Sequence, residues 1–232
     1  DLSGNDAFMS ACMSGNTDNV KLWLNRFPKW NLEKKNKVVG GVALSHTVYM
    51  GPNRYDLVKL LLDHGALVDY RTHTGGSVLT AVCANEDGEP EVLELLLKQK
   101  TMVNYQIRSR NTRWRNIHRI SRLLYRYKLS SSGLVRNLAR KTGMTALHCA
   151  AKRGDVDIVN LLLQYGADPS IKNVLGETAI DFSSDFPEIR GGLKRVVYQR
   201  EVRMSTSLHR RDTTASDLKF PMYLVRFVVV VV

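Results

Sequence analysis

The sequence predicts an all-α solenoid of short helix pairs, interrupted once by a basic helical insertion. Three observations predict it. The stretch from Gly143 to Asn173, GMTALHCAAKRGDVDIVNLLLQYGADPSIKN, reads as one unit of two helices and an extended finger. Its opening recurs 33 residues on, where Gly176 and Thr178 answer Gly143 and Thr145. A period of that length marks a unit that cannot bury its apolar face alone and must stack. The third observation is that the net positive charge sits almost entirely in one segment that departs from the period.

Within the unit, Thr145 precedes the short apolar run Ala146, Leu147, Ala150 and Ala151. A hydroxyl there accepts from free N–H groups of the first helical turn, as an N-cap does. Small alanines let a neighbouring helix approach closely. Gly154 breaks the run and suits a left-handed helix end. Val156, Val159, Leu161, Leu162 and Leu163 supply the apolar face of a second helix, which Gly166 ends. Asp168 and Pro169 then open the extended finger.

The same frame lies over earlier residues. Gly4, Ala7, Phe8, Ala11, Gly15, Val20 and Leu24 make a first repeat. Gly40, Ala43, Leu44 and Gly51 open a second, closing with LVKLLLDHGALVD; Gly76, Val78 and Leu79 open a third, closing with VLELLLKQKTMVN. Repeats two and three each hold about two extra residues between their helices, near Pro52-Asn53 and Asp87-Gly88. After Gly176, ETAIDF starts a fifth unit that loses the pattern at Pro187, as terminal units do when they close a stack with a polar face. The predicted organisation is repeats one to three over 1–104, the insertion over 105–140, repeat four and a degenerate cap over 141–204, and an extended or partner-bound tail over 205–232.

These residues resemble the ankyrin repeat. TALHCAA stands where that family has Thr-Pro-Leu-His-x-Ala-Ala, with Ala146 in place of proline, and LLLQYGAD matches the end of its second helix. The resemblance covers 1–104 and 141–182. It implies a concave binding surface made by the first helices and the fingers, protein partners, and a structural role for His148, whose family counterpart hydrogen-bonds the neighbouring finger. Cys149 beside it makes no Cys–His pair, because adjacent residues on a helix point in different directions.

Composition bounds the rest. Hydrophobic residues make up 44% of the 232, enough for a core. The three cysteines read as small core residues of a reducing compartment, Cys12 and Cys83 standing where Ala151 stands in repeat four. No N-x-[ST] sequon, secretory signal or long apolar run occurs, so an intracellular protein, soluble or peripheral to a larger assembly, is expected. The start at Asp1 and the five terminal valines read as a fragment; Tyr223–Val232 taken literally is a strand-prone tail. Phosphate-cradling glycine loops, GxSxG, HExxH and kinase signatures are missing, and no Cys/His spacing fits a zinc site. No cofactor, metal or catalytic residue is therefore expected. S-x-x-K at Ser216–Lys219 lacks companion motifs. A catalytic domain beyond residue 232, regulated by this array, is an alternative.

The insertion carries the particular chemistry. From Tyr105 to Lys141 there are eleven Lys and Arg and no Asp or Glu, which leaves 23 basic against 22 acidic residues elsewhere. Arg115, Arg119, Arg122 and Arg126 are spaced to form one stripe of a helix, with Trp114, Ile117, Ile120, Leu124 and Tyr127 opposite. Ser132 N-caps a second short helix bearing Leu134, Val135 and Leu138 on one side and Arg136 and Arg140 on another. Three roles are open: arginines solvated above an apolar side that docks on the stack, an Arg stripe meeting an acidic protein surface, or one meeting an anionic membrane or RNA.

The frame assigns the partner-binding candidates His46, Tyr49 and Met50 of repeat two and Lys152 and Arg153 of repeat four to the concave face, and Arg71 and His73 to a finger. Tyr49 and Met50 have a bland alternative, filling the gap beside the extra residues of repeat two. Arg210-Arg211-Asp212-Thr213 resembles a basophilic kinase site, which makes Thr213 a candidate phosphosite against the plainer reading of a solvated linker. The predicted function is non-enzymatic protein binding, as a scaffold, an adaptor or a peripheral subunit.

Overall fold

A computed structural model describes residues 4–50 and 54–214, the side chains of Met50, Arg54 and 206–214 excepted. Twelve helices occur among the described residues, with no strand and a single isolated bridge between Arg71 and Ser77 in one finger. Repeat one pairs α1 (Ala7–Met13) with α2 (Thr17–Arg26), and repeat two pairs α3 (Ala43–Met50) with α4 (Arg54–Asp63). Repeat three pairs α5 (Val78–Ala84) with α6 (Pro90–Lys98). The insertion holds α7 (Thr112–Arg126) and α8 (Gly133–Lys141). Repeat four pairs α9 (Ala146–Arg153) with α10 (Val156–Gln164), and α11 (Ala179–Phe182) and α12 (Pro187–Thr214) follow.

One local device starts every first helix, built from different side chains. Met9 N–H donates to Asp6 Oδ1 at 2.8 Å. In repeats two to four and in α11 the residue three places into the helix reaches back to its N-cap: Ser45 to Val42, Thr80 to Ser77, His148 to Thr145, Asp181 to Thr178. Each pairing satisfies N–H groups that the first turn leaves free. The shared requirement is a side-chain acceptor three residues away, at the N-cap in repeat one and at the third helical residue in the others, which is why the residue type drifts.

The fingers are stitched by a second device. Leu67 N–H donates to Glu33 Oε1 (2.8 Å), Met102 N–H to Asp69 Oδ1 (3.4 Å), and Asp168 N–H to Asn104 Oδ1 (2.8 Å). The first two bonds span 34 and 33 residues and the third 64. The stack therefore keeps its register across the insertion, and α9 packs on α5 as α5 packs on α3. One apolar core runs from Phe8 to Leu193, with Leu44, Leu57, Leu61, Leu93, Leu96, Leu147, Ile158 and Leu162 fully buried. Phe8, Trp23, Phe27 and Trp30 cluster at the N-terminal end with ring centroids 5.1 to 6.2 Å apart. The three cysteines are buried and unpaired, as the small-residue positions required.

Tyrosines close the fingers. Tyr70 Oη donates to Gly40 O at 2.6 Å, and Tyr105 Oη to Gly75 O at 3.1 Å. Tyr105 thus belongs to the third finger, not to the insertion. Gly75, not Gly76, holds the position of Gly143, at φ +89° against +84°. At Gly154 the backbone has φ +84° and a Cβ would lie 2.2 Å from Phe186, so both conformation and space call for glycine.

The chain divides into two units at Leu193. Ile189 and Leu193 of α12 are buried in the first. In the second, Tyr198, Val202 and Met204 are exposed. Residues 205–214 are helical, against the extended tail that was expected. The stretch lacks Gly and Pro, and Leu208, Arg210 and Arg211 favour a helix. Thr213 falls in that helix and its side chain lies outside the described residues. Pro52-Asn53, Ser216–Lys219 and Tyr223–Val232 also lie outside them.

Candidate functional site

The insertion grows from the tip of the third finger. Thr72 N–H donates to Gly76 O at 3.0 Å and Asn173 N–H to Glu177 O at 2.8 Å, closing ordinary fingers over four residues. The corresponding bond runs from Ile107 N–H to Met144 O, also 2.8 Å, and Gly143 N–H returns to Ile107 O. The hairpin stem is intact and the extra chain leaves at its tip. Arg110 N–H and Ser109 Oγ donate to His73 O and Thr74 O of the preceding finger, which steers the departing chain.

Helices α7 and α8 form an antiparallel pair held by a polar seam. His118, 2% exposed, directs Nδ1 to Leu138 O at 2.8 Å. Leu138 lies in the last turn of α8, whose carbonyls have no partner within the helix. Asn173 Nδ2 takes Arg140 O at 3.1 Å and Met144 N–H takes Lys141 O at 3.3 Å. Arg140 anchors the exit: its Nε lies 3.0 Å from Glu177 Oε2 and its guanidinium stacks on Phe182 at 4.0 Å. Lys152 Nζ donates to Asn137 Oδ1 at 2.8 Å, tying α9 to α8.

The seam does not use the face expected of α7. Trp114, His118, Ser121 and Tyr125 point inward, a helical stripe that hydropathy skips because two of its members are polar. Ile117 and Leu124 are half-buried, as expected. Ile120 and Tyr127, expected on the inner side, are 56% and 65% exposed, and Leu123 and Leu134 also face solvent. Arg115, Arg119 and Arg126 are exposed, whereas Arg122 is half-buried with its Nε unpartnered. Ser132 occupies the N-cap of α8 without a side-chain bond.

The concave-face and finger candidates are mostly used inside the fold. Arg153 reaches the carbonyls of Val82, Asn85 and Gly88 and pairs with Asp155, bracing repeat four on repeat three. Arg71 stacks on the Tyr105 ring at 4.0 Å and bonds Asp69. His73 carries a buried Nδ1 without a partner. His46 is buried and is no exposed anchor, because it follows the capping residue Ser45 and turns under the insertion. Tyr49 is exposed at the concave side, while the Met50 side chain is outside the described residues.

The insertion's inner side and the concave helices line an open cavity of about 810 Å³. Met13, His46, Tyr49, Ala81 and Cys149 line it from the stack, and Trp114, His118, Leu138 and Lys141 from the insertion. Burial pulls the His46, His118 and Lys141 pKa values down. Burial pushes Cys149 up to about 11, so its thiol stays protonated and unreactive at neutral pH. His148 is held neutral by burial; its Nδ1 accepts from Thr145 N–H and Nε2 bonds Glu177 O at 3.2 Å. That is the finger bond expected of it. No group of three or more metal-ligating side chains occurs among the described residues, and no described helix is long and apolar enough to cross a membrane.

Residues 142–174 match the sequence model of the family described as Ankyrin repeat. That stretch of the chain is an ankyrin repeat, and the chain is similar to ankyrin repeat proteins. It is 32% identical to an ankyrin repeat protein of Acanthamoeba polyphaga mimivirus, over 54% of this chain and 40% of that one. It is 26% identical to an ankyrin repeat protein of Rickettsia bellii (strain RML369-C), over 54% of this chain and 17% of that one. The chain thus spans less than half the length of either curated relative. Ankyrin repeats generally mediate protein–protein interaction, so the ankyrin stack is an interaction fold, and the inserted helix pair marks this one out.

Proposed function

We propose that this ankyrin chain is a non-enzymatic binding module, an adaptor or peripheral subunit, whose partner surface is the outer face of the insertion. The observation that carries this is the solvent-facing stripe Ile120, Leu123 and Tyr127 beside Arg115, Arg119 and Arg126. Large apolar side chains ringed by arginine make a common interface composition. The partner fitting it is an acidic protein surface with an apolar centre, since the insertion has no acidic residue of its own. The concave face supports this reading by default: the insertion's Trp114, His118 and Leu138 border the same cavity as its helices, and Lys152 and Arg153 are engaged within the chain.

A photo-cross-linker at Leu123 tests it. A defined acidic protein should be captured, and Arg119→Glu with Arg126→Glu should abolish capture without changing the melting curve. Capture of RNA alone, or binding only to anionic vesicles with a steep salt dependence, would replace this reading by the electrostatic one. Turnover by the chain by itself would overturn its non-enzymatic character.

A further inference from the structure

We propose that the cavity between the insertion and the concave helices is a binding site for a small amphiphilic carboxylate carrying a hydrogen-bond donor beside its head group, such as a medium-chain hydroxy acid. The cavity, about 810 Å³, has the size of small-molecule sites in general. Its walls are largely apolar, with Met13, Trp114, Ile107 and Met144 among them. Into this space comes Lys141, whose ammonium group has no hydrogen bond or ion pair among the described residues. Glu86 is the one carboxylate among the lining residues and no ion pair joins it to Lys141, so the half-buried ammonium lacks the compensation that a partly desolvated charge requires. An anion supplies it.

Two buried imidazoles define the rest of the ligand. His118 is 2% exposed and His46 8% exposed, and in both Nε2 is buried with no partner. At His118 the Nδ1 proton is committed to Leu138 O, so neutral Nε2 offers a lone pair and needs a donor. Leaving such an atom unsatisfied costs about 1–3 kcal/mol. Lys141 and His118 line the same cavity, so one ligand head can meet both. A carboxylate on Lys141 with a neighbouring hydroxyl on His118 fits, and the aliphatic body takes the apolar wall. Lys152 and Arg153 border the same space, but their groups are bound to Asn137 and to backbone carbonyls. This site is distinct from the outer face of the insertion, and neither proposal rests on the other.

Calorimetric titration of the full chain with 2-hydroxydecanoate is the test, with decanoate and 1-decanol as comparison probes. The hydroxy acid should bind one-to-one and shift the emission of Trp114, a shift lost in Trp114→Phe, which keeps Trp23 and Trp30. Decanol should bind at least about tenfold more weakly, and decanoate a few-fold more weakly. Lys141→Met should weaken the hydroxy acid about tenfold or more with an unchanged melting curve, while Lys152→Met should leave it within about twofold. If Lys141→Met fails to fold, the decanol comparison carries the charge argument. Absence of binding to the folded chain, equal binding of acid and alcohol, or an emission shift that persists in Trp114→Phe would overturn the proposal.

Discussion

Helix α10 of repeat four buries Ile158, Val159 and Leu162, whereas α7 of the insertion buries His118 and Ser121 and leaves Ile120 and Leu123 in solvent. Both sequences have helical periodicity. The difference lies in the neighbours. A repeat helix meets the same apolar surface on either side, because the adjacent unit carries the same pattern. The insertion has no copy to stack on. The end of α8 is tied to repeat four and its finger by Lys152–Asn137 and Arg140–Glu177, and Ile120, Leu123 and Tyr127 face outward while Trp114 faces in. Periodicity identifies an amphipathic helix; the partner available decides which stripe is buried.

The largest expected effects test the stack side of this contrast. Leu147→Ala or Leu162→Ala should cost about 2–5 kcal/mol in urea denaturation, the range for fully buried leucines. Ile120→Ala or Leu123→Ala should stay within about 0.5 kcal/mol. Comparable losses at both places would break the contrast. His148→Ala comes next, at about 1–3 kcal/mol, since it strands Thr145 N–H and removes one of the two bonds to Glu177 O, which Asn173 N–H still holds.

Excision sharpens the comparison. Joining Ser109 directly to Gly143 reproduces the Thr74–Gly75 junction. The product should fold with one cooperative transition and lose roughly 1–2 kcal/mol, the contribution of Arg140–Glu177 and Lys152–Asn137. Failure to fold would make the insertion part of the core. The pH dependence follows from His46, His118 and His148, all buried with pKa values below the ordinary 6.5. Below that value the unfolded chain binds protons that the folded chain refuses, so stability is full above it and falls as pH drops through it. The fall ends once the depressed folded values are passed. Thermal melts between pH 8 and 5 should show this, and a flat profile would mean the imidazoles reach water. Smallest of all, Arg119→Gln and Arg126→Gln should leave stability within about 0.5 kcal/mol while weakening partner binding.

Much of the fold was legible because the stack repeats itself. The GMTALHCAA opening placed α9, and the same spacing placed α1, α3 and α5, although the capping residue varies from Asp6 to Ser45, Thr80 and His148. Spacing alone is ambiguous at two places: of the adjacent Gly75 and Gly76 only the first has the backbone of Gly143, and Tyr105, at the insertion's edge, repeats Tyr70. The site was less legible. His118 looked like an interruption of an apolar face, and only the carbonyl of Leu138, twenty residues on, gives it a purpose. Arg71 and Arg153 looked free because their stacking ring and carbonyl partners lie in other units.

By itself the sequence determined the repeat, its helix ends, its buried cysteines and the segment that holds the excess charge. These depend on local spacing, and a 33-residue period repeats each local rule along the chain. Tertiary structure decided that the insertion leaves from a finger tip, lines an open cavity with the concave helices through Lys141 and His118, and turns Ile120, Leu123 and Tyr127 outward. Those outcomes depend on which surface a helix meets, and for a segment without a repeat no spacing in the sequence records it.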